Sequence, residues 1–194
     1  MNNWRQKYHI EPKKGWLNDP NGLCFFKGYY HVFYQYAYEP EGGNKYWAHL
    51  KSKDLLFWEE AEIFLSPDKD FDKNGVYSGC AFIKEDIMHI FYMGNVKKDG
   101  DFDYIYAGRE HNTVHVISKD GLKAEKKEVL MYNKDYPEGL SCHVRDPKVF
   151  AYDGKFYMVL GARSKDDKGQ VLVYESTDLY NWNYINSIKT DYDF

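Results

Sequence analysis

Three stretches of the 194-residue chain repeat one pattern of apolar and polar positions: Leu23 to Tyr34, Cys80 to Tyr92, and Lys148 to Leu160. In each, a short apolar run meets a two-residue polar break (Lys27-Gly28, Glu85-Asp86, Asp153-Gly154) and continues into a second run rich in aromatic and branched residues. Two such runs across so short a break predict a β-hairpin. A second marker recurs between them. Ser52-Lys-Asp-Leu-Leu-Phe-Trp58 and Ser176-Thr-Asp-Leu-Tyr-Asn-Trp182 share Ser, Asp, Leu and Trp, lie 124 residues apart, and have a weaker copy, Ser118-Lys-Asp-Gly-Leu122, midway. The chain therefore reads as three repeats of about 60 residues, each holding several strands and closing with an S-x-D-L turn. Aromatic motifs repeating on such a unit are the cue for a β-propeller. No stretch keeps an amphipathic helical period over three turns, so the expected class is all-β.

Propellers close with about four to eight blades, so three repeats do not make a ring. Residues 1–194 are expected to be the N-terminal part of a larger propeller, about three blades of it, or to assemble with other chains. Composition agrees with strands: 19% of residues are aromatic, a class that fits a half-buried pleated surface. At 43% hydrophobic and 29% charged, disorder is excluded as a class. A formal net charge of −4 gives no electrostatic reason to approach nucleic acid or an anionic membrane. No apolar run reaches the ~18 residues of a membrane helix, and the polar start lacks an export signal. Three cysteines without a CxxC spacing, Cys24, Cys80 and Cys142, read as free thiols in a reducing, cytoplasmic setting.

A polar cluster precedes each hairpin: Trp16-Leu-Asn-Asp-Pro-Asn-Gly22, Tyr77-Ser-Gly79 and His143-Val-Arg-Asp-Pro147. Counted back from the turns, Asp19, Ser78 and Asp146 hold equivalent positions. If the first strand of each hairpin is the innermost of its blade, all three arrive at one end of the central channel. Each cluster also has a plain structural reading. Asp19-Pro20-Asn21-Gly22 has the composition of a type I turn, the residue before each proline is expected to be extended, and Arg145 beside Asp146 could be a surface ion pair. Position in the repeat favours a pocket, in which Arg145 attends Asp146 and hydrogen-bonds a substrate hydroxyl.

Two carboxylates with Trp16, Trp47 and Tyr77 point to carbohydrate, because sugars stack on aromatic faces and their hydroxyls need charged or amide partners. No metal or cofactor is expected: HExxH, GxGxxG and P-loop patterns are all missing. His9, His31, His49 and His143 read as packing or turn residues.

On these residues the chain resembles the glycoside hydrolase family of invertases, fructanases and sucrose-6-phosphate hydrolases. The motifs W-[ML]-N-D-P-N-G at Trp16 to Gly22, F-Y-Q at Phe33 to Gln35, [FWY]-S-G at Tyr77 to Gly79 and R-D-P at Arg145 to Pro147 occur in order along it. The resemblance implies a five-bladed β-propeller and retaining hydrolysis of the fructosyl linkage of sucrose, sucrose 6-phosphate or a short fructan. It implies Asp19 as nucleophile and Asp146 as transition-state stabiliser, with Trp16, Asn18, Gln35, Trp47, Tyr77, Ser78 and Arg145 shaping the fructose subsite. The family's acid/base is the glutamate of a Glu-Cys motif, and no glutamate of this chain precedes a cysteine. The 194 residues alone are therefore expected to be inactive or nearly so. Two competing readings are a sugar-binding relic without hydrolysis and an inverting five-bladed glycosidase acting on other furanosides, whose carboxyls would stand about 6.5 to 9.5 Å apart instead of about 5 to 5.5 Å.

Overall fold

The structure is a computed structural model that describes residues 9–41 and 43–193. The first residues of the chain, including its polar start, lie outside the described residues. Among the described residues three antiparallel sheets of four strands follow one another along the chain. The first holds β1 (Trp16–Phe26), β2 (Tyr29–Ala37), β3 (Tyr46–Ser52) and β4 (Trp58–Glu60). The second holds β5 (Val76–Lys84), β6 (Ile87–Lys97), β7 (Arg109–Ser118) and β8 (Glu128–Met131). The third holds β9 (Leu140–Tyr152), β10 (Lys155–Ser164), β11 (Lys168–Ser176) and β12 (Asn183–Asp193). Strand order within each sheet is the chain order, and the first strands β1, β5 and β9 lie side by side.

The three predicted hairpins are the first two strands of each sheet. Phe26 pairs with Tyr29, Lys84 with Ile87 and Tyr152 with Lys155, so each loop is two residues long. Both loop residues have positive φ in every case: Lys27 and Gly28 at 46° and 79°, Glu85 and Asp86 at 50° and 59°, Asp153 and Gly154 at 47° and 73°. That is the type I′ signature, whose twist matches the strands it joins. The S-x-D-L motif does not close a repeat. It turns the third strand of each sheet into the fourth, one element earlier than the sequence suggested. Its hydrogen bonds are local and repeat three times: the amides of Leu55, Gly121 and Leu179 donate to Ser52, Ser118 and Ser176 Oγ, and the two amides that follow donate to Oδ1 of Asp54, Asp120 and Asp178. Trp58 and Trp182 Nε1 donate to the carbonyls of Leu55 and Leu179, which accounts for the tryptophan at the end of the motif.

Packing is set by the period-2 alternation of the second strands. Along β6, Met88, Ile90 and Tyr92 join Phe33 and Trp47 of the first sheet and Leu65 of the connection that follows it, while Phe91 and Met93 join Val149, Met158, Leu160 and Leu172 of the third. Both faces of the middle sheet are thus buried. Each large apolar side chain so enclosed contributes roughly 1.5 to 3 kcal/mol.

Candidate active site

The inner strands place the functional residues by being irregular. Leu17 pairs with Tyr36 and Pro20 with Tyr34, so Asn18 and Asp19 together oppose Gln35. Tyr77 pairs with Met93 and Gly79 with Tyr92, which leaves Ser78 extra, and Arg145 pairs with Gly161 and Lys148 with Val159, so Asp146 and Pro147 oppose Leu160. Each is a β-bulge, a device that re-aims a side chain. Asp19-Pro20-Asn21-Gly22 is therefore a bulged stretch of strand and not a turn. Pro20 and Pro147 fit there because β1 and β9 are edge strands, where a missing N–H disturbs the ladder least. Gly22 has φ 58°, and a Cβ on it would stand 2.7 Å from the Phe33 ring. Asp146 departs from the extended conformation expected before proline: its φ is +57°, a left-handed backbone that non-glycine residues adopt only when held.

The three bulges meet. Asp19, Ser78 and Asp146 line one cavity of about 460 Å³ together with Asn21, Cys80 and Lys148. Gln35 Nε2 donates to Ser78 Oγ at 2.6 Å, and Ser78 Oγ donates to Asp19 Oδ2 at 3.0 Å. Gln35 and Ser78 are buried, so this relay holds the Asp19 carboxylate from behind while its face stays open. Burial pushes the Asp146 carboxyl above its ordinary range; Arg145 pulls it down and Asp19 adds to the rise. The Arg145 guanidinium lies 5.8 Å from the centre of the Tyr77 ring, and its Nη2 donates to His143 Nδ1 at 2.6 Å. A second cavity of about 590 Å³ shares Asp146 and continues past Arg145 and His143 to Ile105, Arg163 and Gln170.

Of the nine residues singled out from sequence, Asp19, Ser78, Asp146, Gln35, Arg145 and Tyr77 are brought together. Trp16 and Asn18 are exposed on β1 beside Asp19 but do not line the cavity walls. Trp47 is a correction. It has 0% exposure, packs against Phe33 and Tyr92 between the first two sheets, and donates from Nε1 to the Tyr77 carbonyl at 3.0 Å. Placed at a core position of β3, it anchors the strand that carries Ser78 and cannot stack on a sugar. Sequence reasoning read Cys80 only as a free thiol, whereas its sulfur accepts from the Val149 amide across two sheets, and His143 only as a packing or turn residue, whereas its ring bonds Arg145 and the Ile105 carbonyl. The signal for His143 was its spacing: two residues from Arg145 on a strand, it shares that residue's face.

Consecutive four-stranded sheets arranged side by side, with two aspartates presented by inner-strand bulges into one cavity, define part of a β-propeller with a paired-carboxyl site. The chain belongs to the family described as glycosyl hydrolases family 32 N-terminal domain, whose model matches residues 9–193. Its three sheets are blades of that family's five-bladed propeller. It is 42% identical over 186 residues to the sucrose-6-phosphate hydrolase of Bacillus subtilis (strain 168), covering 95% of this chain and 37% of that protein. It is 38% identical to the raffinose invertase of Escherichia coli, with 93% and 37% covered. Among solved structures it is similar to the sucrose-6-phosphate hydrolase of Lactobacillus gasseri, at TM-score 0.86 and 34% identity over 98% of this chain and 38% of that one. It is likewise similar to a Bombyx mori GH32 β-fructofuranosidase variant in complex with sucrose, at TM-score 0.83 and 31% identity over 97% and 39%. The chain thus spans less than two-fifths of the length of these relatives.

Proposed function

We propose that this chain supplies the fructosyl-holding side of a retaining β-fructofuranosidase that acts on sucrose or sucrose 6-phosphate. The observation that carries the reading is the convergence of Asp19, Ser78 and Asp146 on one cavity, with Asp19 held by the Gln35–Ser78 relay. In the first step an Asp19 carboxylate oxygen bonds to the anomeric carbon of the fructosyl unit as the bond from that carbon to the leaving sugar's oxygen breaks. A carboxylic acid about 5 to 5.5 Å away protonates that oxygen, then deprotonates the water that releases fructose and frees Asp19. Asp146 and Arg145 hold the fructose hydroxyls that tighten as positive charge develops on the ring. The acid/base is not assigned to a residue of this chain. We place the protein in the cytoplasm on the strength of its three free thiols.

β-Fructosyl fluoride tests the nucleophile directly, because fluoride departs without a general acid. When turnover of this substrate is quenched with acid within the steady state, the polypeptide carrying this chain should show the mass of one hexosyl unit on the peptide holding Asp19, and Asp19→Ala should not. An unlabelled protein, or a label on another carboxylate, rejects the reading.

A further inference from the structure

The His143 ring belongs to neither the core nor a turn. Its two nitrogens are spent on different parts of the molecule. Arg145 Nη2 can only donate, so His143 Nδ1 accepts at 2.6 Å and the ring proton sits on Nε2, which donates to the Ile105 carbonyl at 2.7 Å. Ile105 lies on the 98–108 connection between β6 and β7, and that connection is built rather than loose. Asp103 Oδ1 accepts from the amides of Ile105 and Tyr106 at 2.8 Å each, Tyr104 takes φ 57°, and the Tyr104 hydroxyl donates to the Lys98 carbonyl at 3.0 Å. Val144, between His143 and Arg145, is fully buried on the opposite face of β9. The imidazole therefore spans the gap between a fixed carbonyl in the second sheet and a guanidinium on the third.

We infer that His143 is a positioning residue: its neutral ring ties Arg145 to the Ile105 carbonyl and so fixes the guanidinium against Asp146 and the Tyr77 face for binding the fructosyl group. This deepens the proposed function and rests on it. Arg145 otherwise has a long side chain whose Nε is buried without a partner, so losing the Nδ1 acceptor frees the group that is to meet the sugar. Protonation does the same. It converts the acceptor into a donor facing a donor, and adds a cation where Arg145 on β9, Arg109 on β7 and Arg163 on β10 already bear on the ring. The uncharged neighbours are the His111 ring at 5.6 Å on β7 and the Cys142 thiol, and the carboxylate in the same cavity wall is Asp146.

Three substitutions separate the two contacts. His143→Asn keeps an acceptor where Nδ1 stood, His143→Gln keeps a donor where Nε2 stood, and His143→Leu keeps neither. In the polypeptide carrying this chain, KM for sucrose should rise about tenfold in the Gln and Leu variants, the loss of one charge-assisted hydrogen bond, and only about threefold or less in the Asn variant. kcat should change less than KM. The wild-type KM should also rise as pH falls below the ordinary histidine range, relative to the Asn variant, which has nothing to titrate at this position. Equal KM in all four proteins, an equal rise in all three variants, or the same acid dependence with and without the histidine overturns the inference. Labelling by β-fructosyl fluoride runs alongside: wild type labelled on Asp19 with unmoved KM values rejects the role of His143 alone, whereas an unlabelled wild type rejects the fructosidase reading and this inference with it.

Discussion

Lowering the pH from 7 to 5 should cost this protein about 6 kcal/mol of stability, through three histidines that fold without a proton. His49, His111 and His115 are at most 1% exposed, and burial is the first cause that pushes each from 6.5 down to about 3. Neighbouring groups add to it: His31 and Lys51 around His49, Arg145 around His111, His89 beside His115. The hydrogen bonds show why the neutral form is required. His31 Nε2 donates to the Phe26 carbonyl, leaving its Nδ1 to accept from His49 Nε2 at 2.9 Å, so His49 Nδ1 is bare and has no partner for a proton. The second sheet repeats the pair as His89 Nδ1 and His115 Nε2 at 3.0 Å. Because the folded values lie below the unfolded one, the unfolded chain takes up protons first as pH falls. Stability is then lost from about pH 6.5 downward until the native rings titrate near 3. At pH 5 each ring contributes a loss of about 2 kcal/mol relative to pH 7, and the slope approaches about 4 kcal/mol per pH unit for the three together. The raised Asp146 works in the opposite sense, and the lowered carboxyls of Asp54, Asp120 and Asp178 titrate below this window. Urea midpoints at half-unit steps between pH 7 and 5 measure the slope. A loss under about 1 kcal/mol per unit over pH 6 to 5 would refute the claim that these rings are held neutral.

Three substitutions probe other parts of the same architecture. Lys127→Met should destabilise the fold by about 3 to 5 kcal/mol in urea unfolding, because the ammonium lies 2.6 Å from Asp72, a carboxylate with 0% exposure that would be left with two neutral donors, the Tyr92 hydroxyl and the Lys69 amide, and no cation; the double variant with Asp72→Asn should recover much of the loss. Gly79→Ala should destabilise by at least about 3 kcal/mol and lower fructosyl labelling, since a Cβ there would collide with the Phe91 carbonyl oxygen; unchanged thermal unfolding would contradict the close β5–β6 approach. Ser78→Ala should lower the rate of Asp19 labelling about 10 to 100-fold and cost about 1 to 3 kcal/mol in urea unfolding, because it removes the donor to Asp19 and strands the buried Gln35 amide.

What the sequence disclosed of this fold divides by the range of the interactions involved. The type I′ turns and the S-x-D-L turns were legible because every bond that makes them lies within a few residues, so residue type and spacing carry the geometry. Leu55 and Leu179 show the limit even there: they hold φ of 65° and 73°, where the middle copy has Gly121 at 75°, and nothing in a leucine announces a left-handed backbone. The convergence of Asp19, Ser78 and Asp146 was legible because a repeat converts equal offsets into equal places. The bulges that aim those residues were not, since a bulge is a mismatch between two strands and only the partner's register reveals it. Trp47 marks the same boundary. An aromatic near a polar motif reads alike whether it faces a sugar or a core, and the choice was made by Phe33 and Tyr92, which meet it only once two sheets have packed. The tie from His143 to Ile105 spans 38 residues and two sheets. The features this site adds to its family motif are therefore the long-range ones, and substitutions at His143 and Ser78 test them more sharply than any further reading of the motif.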